Sequence, residues 1–320
     1  MHNSIEFNTM GGNALKTVSV ARFDLATIEA VKSDIMDKLV DLDLRFIRDA
    51  PNKVDFGDLD VLHMRPIDEV LRIIKQVYDP IECVCGDNML SFAFLWKEQY
   101  YQVDMIRVGN FEMGQFYFGY GDVGNILGRM VRNSEIFLGS QGLFCREDYV
   151  PIILSDDPDK ICDYLGLDYS TWKTFTEDQE IFTWIASSRF FVSSFHIRSK
   201  DKKKQKKRPM LDNYMNFIAD KQSNIIENRV EEALLHFKKC SVRDEMRRKK
   251  LEEAEKKKKF NGSKLMKLTG CDCKQVGALI QKFKAYVSTE NEIDFERWLD
   301  INDEDHVDAC IIDFYEAYRK

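Results

Sequence analysis

The stretch KVDFGDLDVLHM places two aspartates inside a run of β-forming residues, and it constrains the fold more than any other feature. Asp58 and Asp60 are two residues apart, so on a strand their side chains share one face. Leu59 and Val61 fall on the opposite face, which therefore faces a core, and we expect Val54 to face that core as well. Two carboxylates about 7 Å apart repel each other unless a positive charge lies between them. A divalent cation that prefers oxygen ligands, such as Mg²⁺, is the natural counter-charge.

A second strand supplies a third carboxylate. The runs at 89–96 and 100–108 predict a β-hairpin, and Asp104 lies in the second run between apolar neighbours. If this strand lies beside the first, Asp104 converges with Asp58 and Asp60. Two-metal phosphoryl transfer needs such a cluster, with one ion activating the attacking hydroxyl and the other holding the triphosphate. For the two aspartates taken alone, the alternative is a solvent-facing position on an edge strand.

The order of the predicted elements favours an α+β fold with a mixed β-sheet and a mainly helical C-terminal region. Helices are predicted over 25–48 and 66–78, on either side of the aspartate strand. A Gly-rich turn at 119–124 precedes a short helix. Beyond Pro151 the pattern becomes mainly helical. Strands and helices therefore alternate in the first 150 residues only.

The cysteines do not indicate a metal site. The chain has eight, including two Cys-x-Cys pairs, Cys83/Cys85 and Cys271/Cys273. Structural zinc sites use two to four intervening residues, so this spacing is unfavourable for chelation. We expect buried, reduced thiols, because no secretory signal opens the chain.

One run of basic residues stands out in a chain whose net charge is −7. A globally acidic protein needs a local positive patch to approach a polyanion, and the linker 197–209 offers one. A solvated linker or a nuclear import signal is the alternative. The residues predicted to contact nucleic acid are Lys202, Lys203, Lys204, Lys206, Lys207 and Arg208.

The two aspartate strands resemble a known signature. GDLDVL followed by VDMIRV is similar to the DNA polymerase beta-like nucleotidyltransferase superfamily, in which Gly-Asp-x-Asp and a later strand supply three metal-binding aspartates. The resemblance, which covers roughly residues 50–145, implies a nucleotidyltransferase palm, catalysis at Asp58, Asp60 and Asp104, and two Mg²⁺ ions with Mn²⁺ as the alternative. It also implies that Gly57, which opens the signature, belongs to the nucleotide-binding set.

The segment QFYFGYGDVGNILGRM resembles the turn and helix that contact the incoming nucleotide in family X DNA polymerases. The resemblance places Tyr117 and Phe118 against the sugar, and Asp122 and Asn125 near the base. The family's Thr-Gly-Ser is replaced here by Gly-Tyr-Gly, a departure at the turn that acts as a steric gate. A Gly-rich turn before a structural helix is the alternative.

The phosphate-binding glycines of the family are displaced. The family places a Gly-Ser or Gly-Gly pair about ten residues before the aspartates, at a helix N-terminus that binds phosphate. The nearest pair is Gly11 and Gly12, 46 residues before Asp58. We therefore predict that this pair binds phosphate and that 16–50 is an inserted helical segment. An ordinary turn is the alternative.

The C-terminal stretch NGSKLMKLTGCDCKQVGALIQKFK resembles the terminal helical domain of class II CCA-adding enzymes and bacterial poly(A) polymerases. A helix-hairpin-helix or a plain helix pair is the alternative. The middle helices resemble uncharacterised nucleotidyltransferase-like proteins of large DNA viruses and phages. Together these resemblances divide the chain into a catalytic domain (1–150), a helical domain with the basic linker (151–240), and a charged helix followed by a nucleic-acid-binding-like domain (241–320).

These resemblances imply a metal-dependent enzyme that transfers a nucleoside monophosphate from an NTP to a nucleic-acid 3′ end. RNA is favoured because no lyase-type domain is expected before the palm. The alternatives are a gap-filling DNA polymerase, and a transferase that acts on a protein or small molecule. No run of 18 apolar residues is present, so we expect no membrane partner. The expected location is the cytoplasm, that of the host if the protein is viral, or the nucleus through the basic run 200–208.

Overall fold

The computed structural model describes residues 14–51, 53–193, 209–224 and 227–319. The chain divides into two compact units, Met1–Lys239 and Cys240–Lys320. The first mixes helices and strands, and the second is helical in its described residues, so the predicted α+β class with a helical C-terminal region is confirmed. The predicted boundary after residue 150 falls inside a strand, so the predicted catalytic and helical domains belong to one compact unit.

The strands all lie in the first unit. Within the described residues they are β1 (Phe23–Asp24), β2 (Arg45–Phe46), β3 (Asp55–Phe56), β4 (Leu59–His63), β5 (Cys83–Cys85), β6 (Met89–Trp96), β7 (Gln99–Arg107), β8 (Phe137–Gly139), β9 (Gly142–Glu147) and β10 (Val150–Ser155).

The helices lie in both units. In the described part of the first unit they are α1 (Leu25–Lys38), α2 (Ile67–Tyr78), α3 (Phe111–Phe118), α4 (Val123–Arg132), α5 (Pro158–Leu165), α6 (Tyr169–Trp172), α7 (Asp178–Ala186), α8 (Pro209–Ile218) and α9 (Val230–His236). In the second they are α10 (Cys240–Lys259), α11 (Gly262–Thr269), α12 (Val276–Asn291), α13 (Phe295–Ile301) and α14 (Glu304–Tyr318).

A five-stranded mixed sheet in the order β2-β4-β7-β6-β5 forms the centre of the first unit. Strands β4 and β7 pair in parallel, and the other neighbours pair antiparallel. The predicted hairpin is confirmed as β6 and β7. Its two-residue turn, Lys97 and Glu98, has φ values of 45° and 69°, the left-handed geometry that matches the twist of paired strands.

The two faces of this sheet are different. The face that carries Leu59 and Val61 packs in the main core against α1 and α2, as the alternation along the strand predicts. On the opposite face, Leu62 and Ile106 form a smaller cluster with Phe118 at the end of α3. Because side chains alternate, Asp60 and Asp104 share this second face with Leu62 and Ile106. The carboxylates therefore lie one step along the strands from an apolar patch.

The chain departs from the predicted elements before β4. The helix predicted over 25–48 ends at Lys38, because the buried Leu42 and Leu44 recur every second residue, which is the spacing of extended backbone. The single strand predicted from residue 53 is broken at Gly57. Before the break, β3 pairs with β1 in a separate two-stranded sheet, and Val54 is 64% exposed rather than buried.

A second sheet, which was not predicted from the sequence, has the order β10-β9-β8 with antiparallel pairing. Burial alternates along the middle of its strands, with Leu143 and Cys145 buried and Arg146 exposed. The stretch after Pro151, predicted to be helical, therefore begins with β10. These strands are only three to six residues long, so the period-two signal within each is short.

The second unit has its own core, which includes Phe283, Phe295 and Trp298. Salt bridges join its helices: Lys264 Nζ lies 2.7 Å from Glu304 and 2.6 Å from Asp308. Across the described residues of both units, no helix is long and apolar enough to cross a membrane.

Candidate metal centre

Three carboxylates converge on the face of the five-stranded sheet that is opposite to the main core. One oxygen each from Asp58, Asp60 and Asp104 lies within 4.8 Å of the others. Asp60 pairs directly with Asp104 across the parallel strands, and Asp58 lies immediately before β4. The convergence predicted from the sequence is therefore present in the fold.

The cluster is largely withdrawn from water. Asp104 is 1% exposed, and Gln102 Nε2 donates to both of its carboxylate oxygens at 3.0 Å. Gln102 Oε1 in turn accepts a hydrogen bond from the backbone amide of Ala14 at 3.2 Å. Asp60 Oδ1 is buried and has no hydrogen-bond partner among the described residues. A buried carboxylate oxygen without a donor is costly unless a cation binds it.

The carboxyl groups titrate far from their ordinary range. Burial and the neighbouring charges of Asp58 and Asp104 raise the pKa of Asp60 well above its ordinary value. Burial and the charge of Asp58 also raise the pKa of Asp104 to about 7, and the hydrogen bonds from Gln102 oppose this shift. The protein thus holds several like charges together in a site of low polarity, an arrangement that a bound cation stabilises.

One protein cation lies beside the cluster. The charge of Lys53 lowers the pKa of Asp60, against the stronger effect of burial. Lys53 Nζ is 4.6 Å from the centroid of the Phe56 ring and 3.8 Å from Asp49 Oδ1. Lys53 is the first residue of the stretch KVDFGDLDVLHM. Its charge acts on Asp60 because the tertiary structure brings the two side chains near each other.

The donor set fits a hard divalent cation. The group consists of carboxylate oxygens alone, the ligands that Mg²⁺, Mn²⁺ and Ca²⁺ prefer. It is the only group of three or more potential ligands that the described residues bring together. None of the eight cysteines, all of which are described, forms a disulfide, and Cys85 and Cys273 are exposed rather than buried as expected.

The residues predicted to contact the nucleotide sugar lie next to the cluster. Phe118 packs on Leu62 and Ile106, each two residues beyond a carboxylate on the same face of its strand. Tyr117 is half-buried at the same place, with its ring 5.1 Å from that of Phe118. The end of α3 therefore packs on the sheet face that carries the carboxylates, with Phe118 itself buried.

The Gly-rich turn between α3 and α4 is fixed by close packing. Gly121 has a φ of 68°, and a Cβ on Gly124 would lie 2.0 Å from the Tyr117 carbonyl oxygen. Asp122 is half-buried and directly precedes α4. Asn125 Oδ1 accepts a hydrogen bond from Arg129 Nε at 2.6 Å. Both residues predicted to lie near the base are thus within or next to this turn.

Gly57 lies against an arginine. A Cβ at this position would be 3.0 Å from Arg22 Nη1, and Arg22 Nε is 2.7 Å from Asp55 Oδ2. The glycine accommodates the guanidinium in the bend between β3 and β4. Neither Arg22 nor Gln102 was predicted from the sequence. A signal for Gln102 existed, since it is a polar residue two positions before Asp104 and therefore on the same face.

Two predicted groups lie outside the described residues. They are the glycine pair, Gly11 and Gly12, and the basic side chains from Lys202 to Arg208. Residues 14–22, which follow the pair, form no helix. The segment 16–50, predicted to be a helical insertion, contains α1 together with β1 and β2.

Comparison with known proteins adds no family: no protein-family model matches the chain, and no curated protein is significantly similar to it. The carboxylate cluster therefore defines the site by its geometry alone.

Proposed function

We propose that this protein is a metal-dependent nucleotidyltransferase that transfers a nucleoside monophosphate from an NTP to the 3′ end of a nucleic acid, with RNA favoured. The observation that carries the proposal is the pairing of Asp60 with Asp104 on parallel strands, with Asp58 in the same cluster. Three carboxylates within ligand distance of one another are what two-metal phosphoryl transfer requires of a protein. The resemblance of GDLDVL and VDMIRV to the polymerase beta-like signature supports the same conclusion.

Each residue has a definite part in this proposal. Asp58, Asp60 and Asp104 would hold Mg²⁺ or Mn²⁺, which supplies charge neutralisation for the triphosphate and activation of the attacking hydroxyl. Gln102 orients Asp104 by donating to both of its oxygens. Asp104 and the Oδ1 atom of Asp60 are buried, which strengthens their interaction with a cation.

The nucleotide would lie against the end of α3. Phe118 is buried and Tyr117 beside it is half-buried, so a sugar placed on Tyr117 would lie on the sheet face that carries the carboxylates. The close-packed turn that follows, with Gly124 against the Tyr117 carbonyl, holds this surface in place. Preorganised positioning of this kind is the main contribution a protein makes to phosphoryl transfer.

The test is a transfer assay with purified protein. Mg²⁺ or Mn²⁺, each labelled NTP and dNTP, and short RNA, tRNA, single-stranded DNA and gapped DNA acceptors would be combined. We expect extension of an RNA 3′ end that Asp60→Asn and Asp104→Asn abolish. Asp68→Asn, which changes an exposed carboxylate on α2, is the matched control and should transfer normally. No transfer to any of these acceptors would contradict the proposal.

A transferase that acts on a small molecule or protein is the second candidate, and one observation favours it. In the second unit, several basic side chains are paired with acids, as Lys264 is with Glu304 and Asp308. Lys256 Nζ likewise lies 2.9 Å from Asp300 Oδ1. Metal-dependent consumption of NTP with hydroxylated small molecules, but with no nucleic acid, would select this candidate.

A further inference from the structure

The outer face of the three-stranded sheet carries two half-buried aromatic rings and exposed arginines. Its strands point Phe137, Phe144, Arg146 and Ile153 outward, while their neighbours along each strand are buried. Arg132, at the end of α4, extends over the same ring cluster. We call these five residues the outer face.

The rings and guanidinium groups form one stacked arrangement. Phe137 and Phe144 have centroids 5.3 Å apart and planes inclined by 18°. Arg146 lies 4.4 Å from the Phe137 centroid and 5.8 Å from that of Phe144, and Arg132 lies 5.9 Å from Phe137. An arginine that lies over an aromatic ring presents both a planar guanidinium and N–H donors. Such a group can stack on a nucleobase or bind a phosphate.

The charge of this face is opposite to that of the whole chain. The outward positions of β8, β9 and β10 include no acidic residue, although the chain carries a net charge of −7. Apolar surface is also open here: Ile153 is 40% exposed, and Tyr149, in the β9–β10 turn, is 92% exposed. Half-buried aromatic rings with arginines beside them match a flexible polyanion whose bases are unpaired.

We propose that the outer face binds a single-stranded segment of nucleic acid, with bases stacked on Phe137 and Phe144 and phosphates bound by Arg132 and Arg146. The proposal rests on the proposed function only in taking this strand to be the acceptor. Stacking on aromatic side chains tolerates any base, so we expect little sequence preference.

The sheet is joined to the strand that carries Asp104. A Cβ on Gly109, just after β7, would lie 3.5 Å from Gln141 Oε1 in the β8–β9 turn. Asn110 Nδ2 donates to the backbone oxygen of Asp156, just after β10, at 3.4 Å. Five residues of extended chain separate Asp104 from Gly109, about 17 Å at the usual rise per residue. The three-stranded sheet is thus held against the chain that directly follows the Asp104 strand.

The experiment measures oligonucleotide binding by the full chain without nucleotide or metal. A fluorescein-labelled oligouridylate of about 15 nucleotides, near the upper end of single-domain site sizes, is titrated in EDTA at several salt concentrations. The variants are Arg132→Gln/Arg146→Gln and Phe137→Leu/Phe144→Leu, the second of which keeps apolar packing while removing the ring faces. Arg65→Gln is the matched control, an exposed arginine paired with Glu69 on α2.

We expect the arginine variant to bind more weakly and to reduce the slope of log K against log salt by about 1.4, or about 0.7 for each phosphate that an arginine no longer neutralises. The leucine variant should bind about tenfold more weakly with an unchanged slope, because stacking carries no charge. The wild type and Arg65→Gln should be indistinguishable. If both outer-face variants bind like the control, or if the wild type binds no oligouridylate, the proposal is overturned.

The outcome separates this proposal from the proposed function. Binding that depends on the outer face without any nucleotidyl transfer would preserve the surface and contradict the enzyme assignment. The reverse outcome is transfer that Asp60→Asn abolishes, while the outer-face variants still transfer and bind the oligonucleotide with unchanged affinity. It would support the enzyme assignment and contradict the role of the outer face. Oligonucleotide binding that the variants keep would show that the oligonucleotide binds elsewhere on the protein and would overturn the inference.

Discussion

Asp60 and Asp104 lie directly opposite each other on the parallel strands β4 and β7, so two buried carboxyl groups share one site. Each carboxyl raises the cost of ionising its neighbours, because the surroundings offer little water to screen the charges. The apo protein therefore stores electrostatic repulsion at this point of the sheet. Metal binding, stability and pH dependence should all be linked through it.

Asp104→Asn should stabilise the apo protein and remove its response to metal. The change deletes one of three clustered charges and keeps an amide that still accepts a hydrogen bond from Gln102. At pH 8 we expect the free energy of unfolding to rise by about 1–3 kcal/mol. Thermal unfolding with and without Mn²⁺ checks this, since only the wild type should gain stability from the ion. A variant that is less stable than the wild type and still stabilised by Mn²⁺ would refute the cluster's role.

The raised pKa of Asp104 predicts that apo stability falls with increasing pH. The folded protein holds this proton up to about pH 7, whereas an unfolded aspartate loses it near pH 4. Between these values the folded state binds more protons, so the free energy of unfolding decreases as pH rises. Saturating Mg²⁺ should abolish the decrease, because the bound ion favours the ionised form.

The measurement is urea unfolding between pH 4.5 and 8 for the wild type and Asp104→Asn. The difference between the two proteins is the informative quantity, because His63 opposes the trend. Burial lowers the pKa of His63 to about 4, so its contribution rises with pH up to the ordinary value near 6.5. Parallel pH curves for the two proteins would contradict the assignment to Asp104.

Lys53→Met should increase the affinity for metal. Lys53 is the protein's own counter-charge beside Asp60, and its removal leaves the carboxylates a stronger ligand set. We expect a gain of about 1 kcal/mol, or roughly fivefold in the dissociation constant of Mn²⁺. Lys38→Met is the matched control, since Lys38 also pairs with an aspartate four residues away and lies over an aromatic ring. Equal affinities of the two variants would remove Lys53 from the site.

Gly124→Ala should destabilise the first unit. A Cβ at this position would lie 2.0 Å from the Tyr117 carbonyl oxygen, and that backbone cannot move without displacing the end of α3. We expect a loss of about 2–4 kcal/mol in the free energy of unfolding. Gly277→Ala, in α12, is the comparison: its Cβ meets nothing within 4 Å, so a gain of about 0.5–1 kcal/mol is expected from helix propensity. Urea unfolding of both variants tests whether the free energy of unfolding falls in the first and rises in the second.

Neutralising the basic run should weaken acceptor binding and leave NTP binding nearly intact. Each lysine or arginine that contacts a phosphate contributes to the salt dependence, so the slope should flatten when these charges are removed. Asp60→Asn should do the opposite, keeping the acceptor bound while transfer collapses. An unchanged transfer rate across salt concentrations would make the run a linker or an import signal. The residues changed to glutamine are Lys202, Lys203, Lys204, Lys206, Lys207 and Arg208.

Local patterns in the sequence were sufficient for the parts of the fold that depend on near neighbours. The alternation around Asp58 and Asp60 assigned the carboxylates to one face of a strand, and the β6–β7 hairpin followed from two apolar runs with a short connection. The same reasoning was wrong where the apolar residues fit both a helical and an extended spacing. Residues 39–48 continue the apolar spacing of α1 as far as Leu42, yet the chain turns towards β2.

The tertiary structure alone decided how the site is completed. Parallel pairing of β4 with β7 joins residues 44 positions apart along the chain, and no local pattern specifies its register. The same pairing buries Asp104 beneath Gln102 and leaves Asp60 Oδ1 without a donor among the described residues. A sequence can thus assign a carboxylate to a face of its strand. Which carboxylates share a dry site depends on contacts between distant strands, and these set the charge repulsion that a cation relieves.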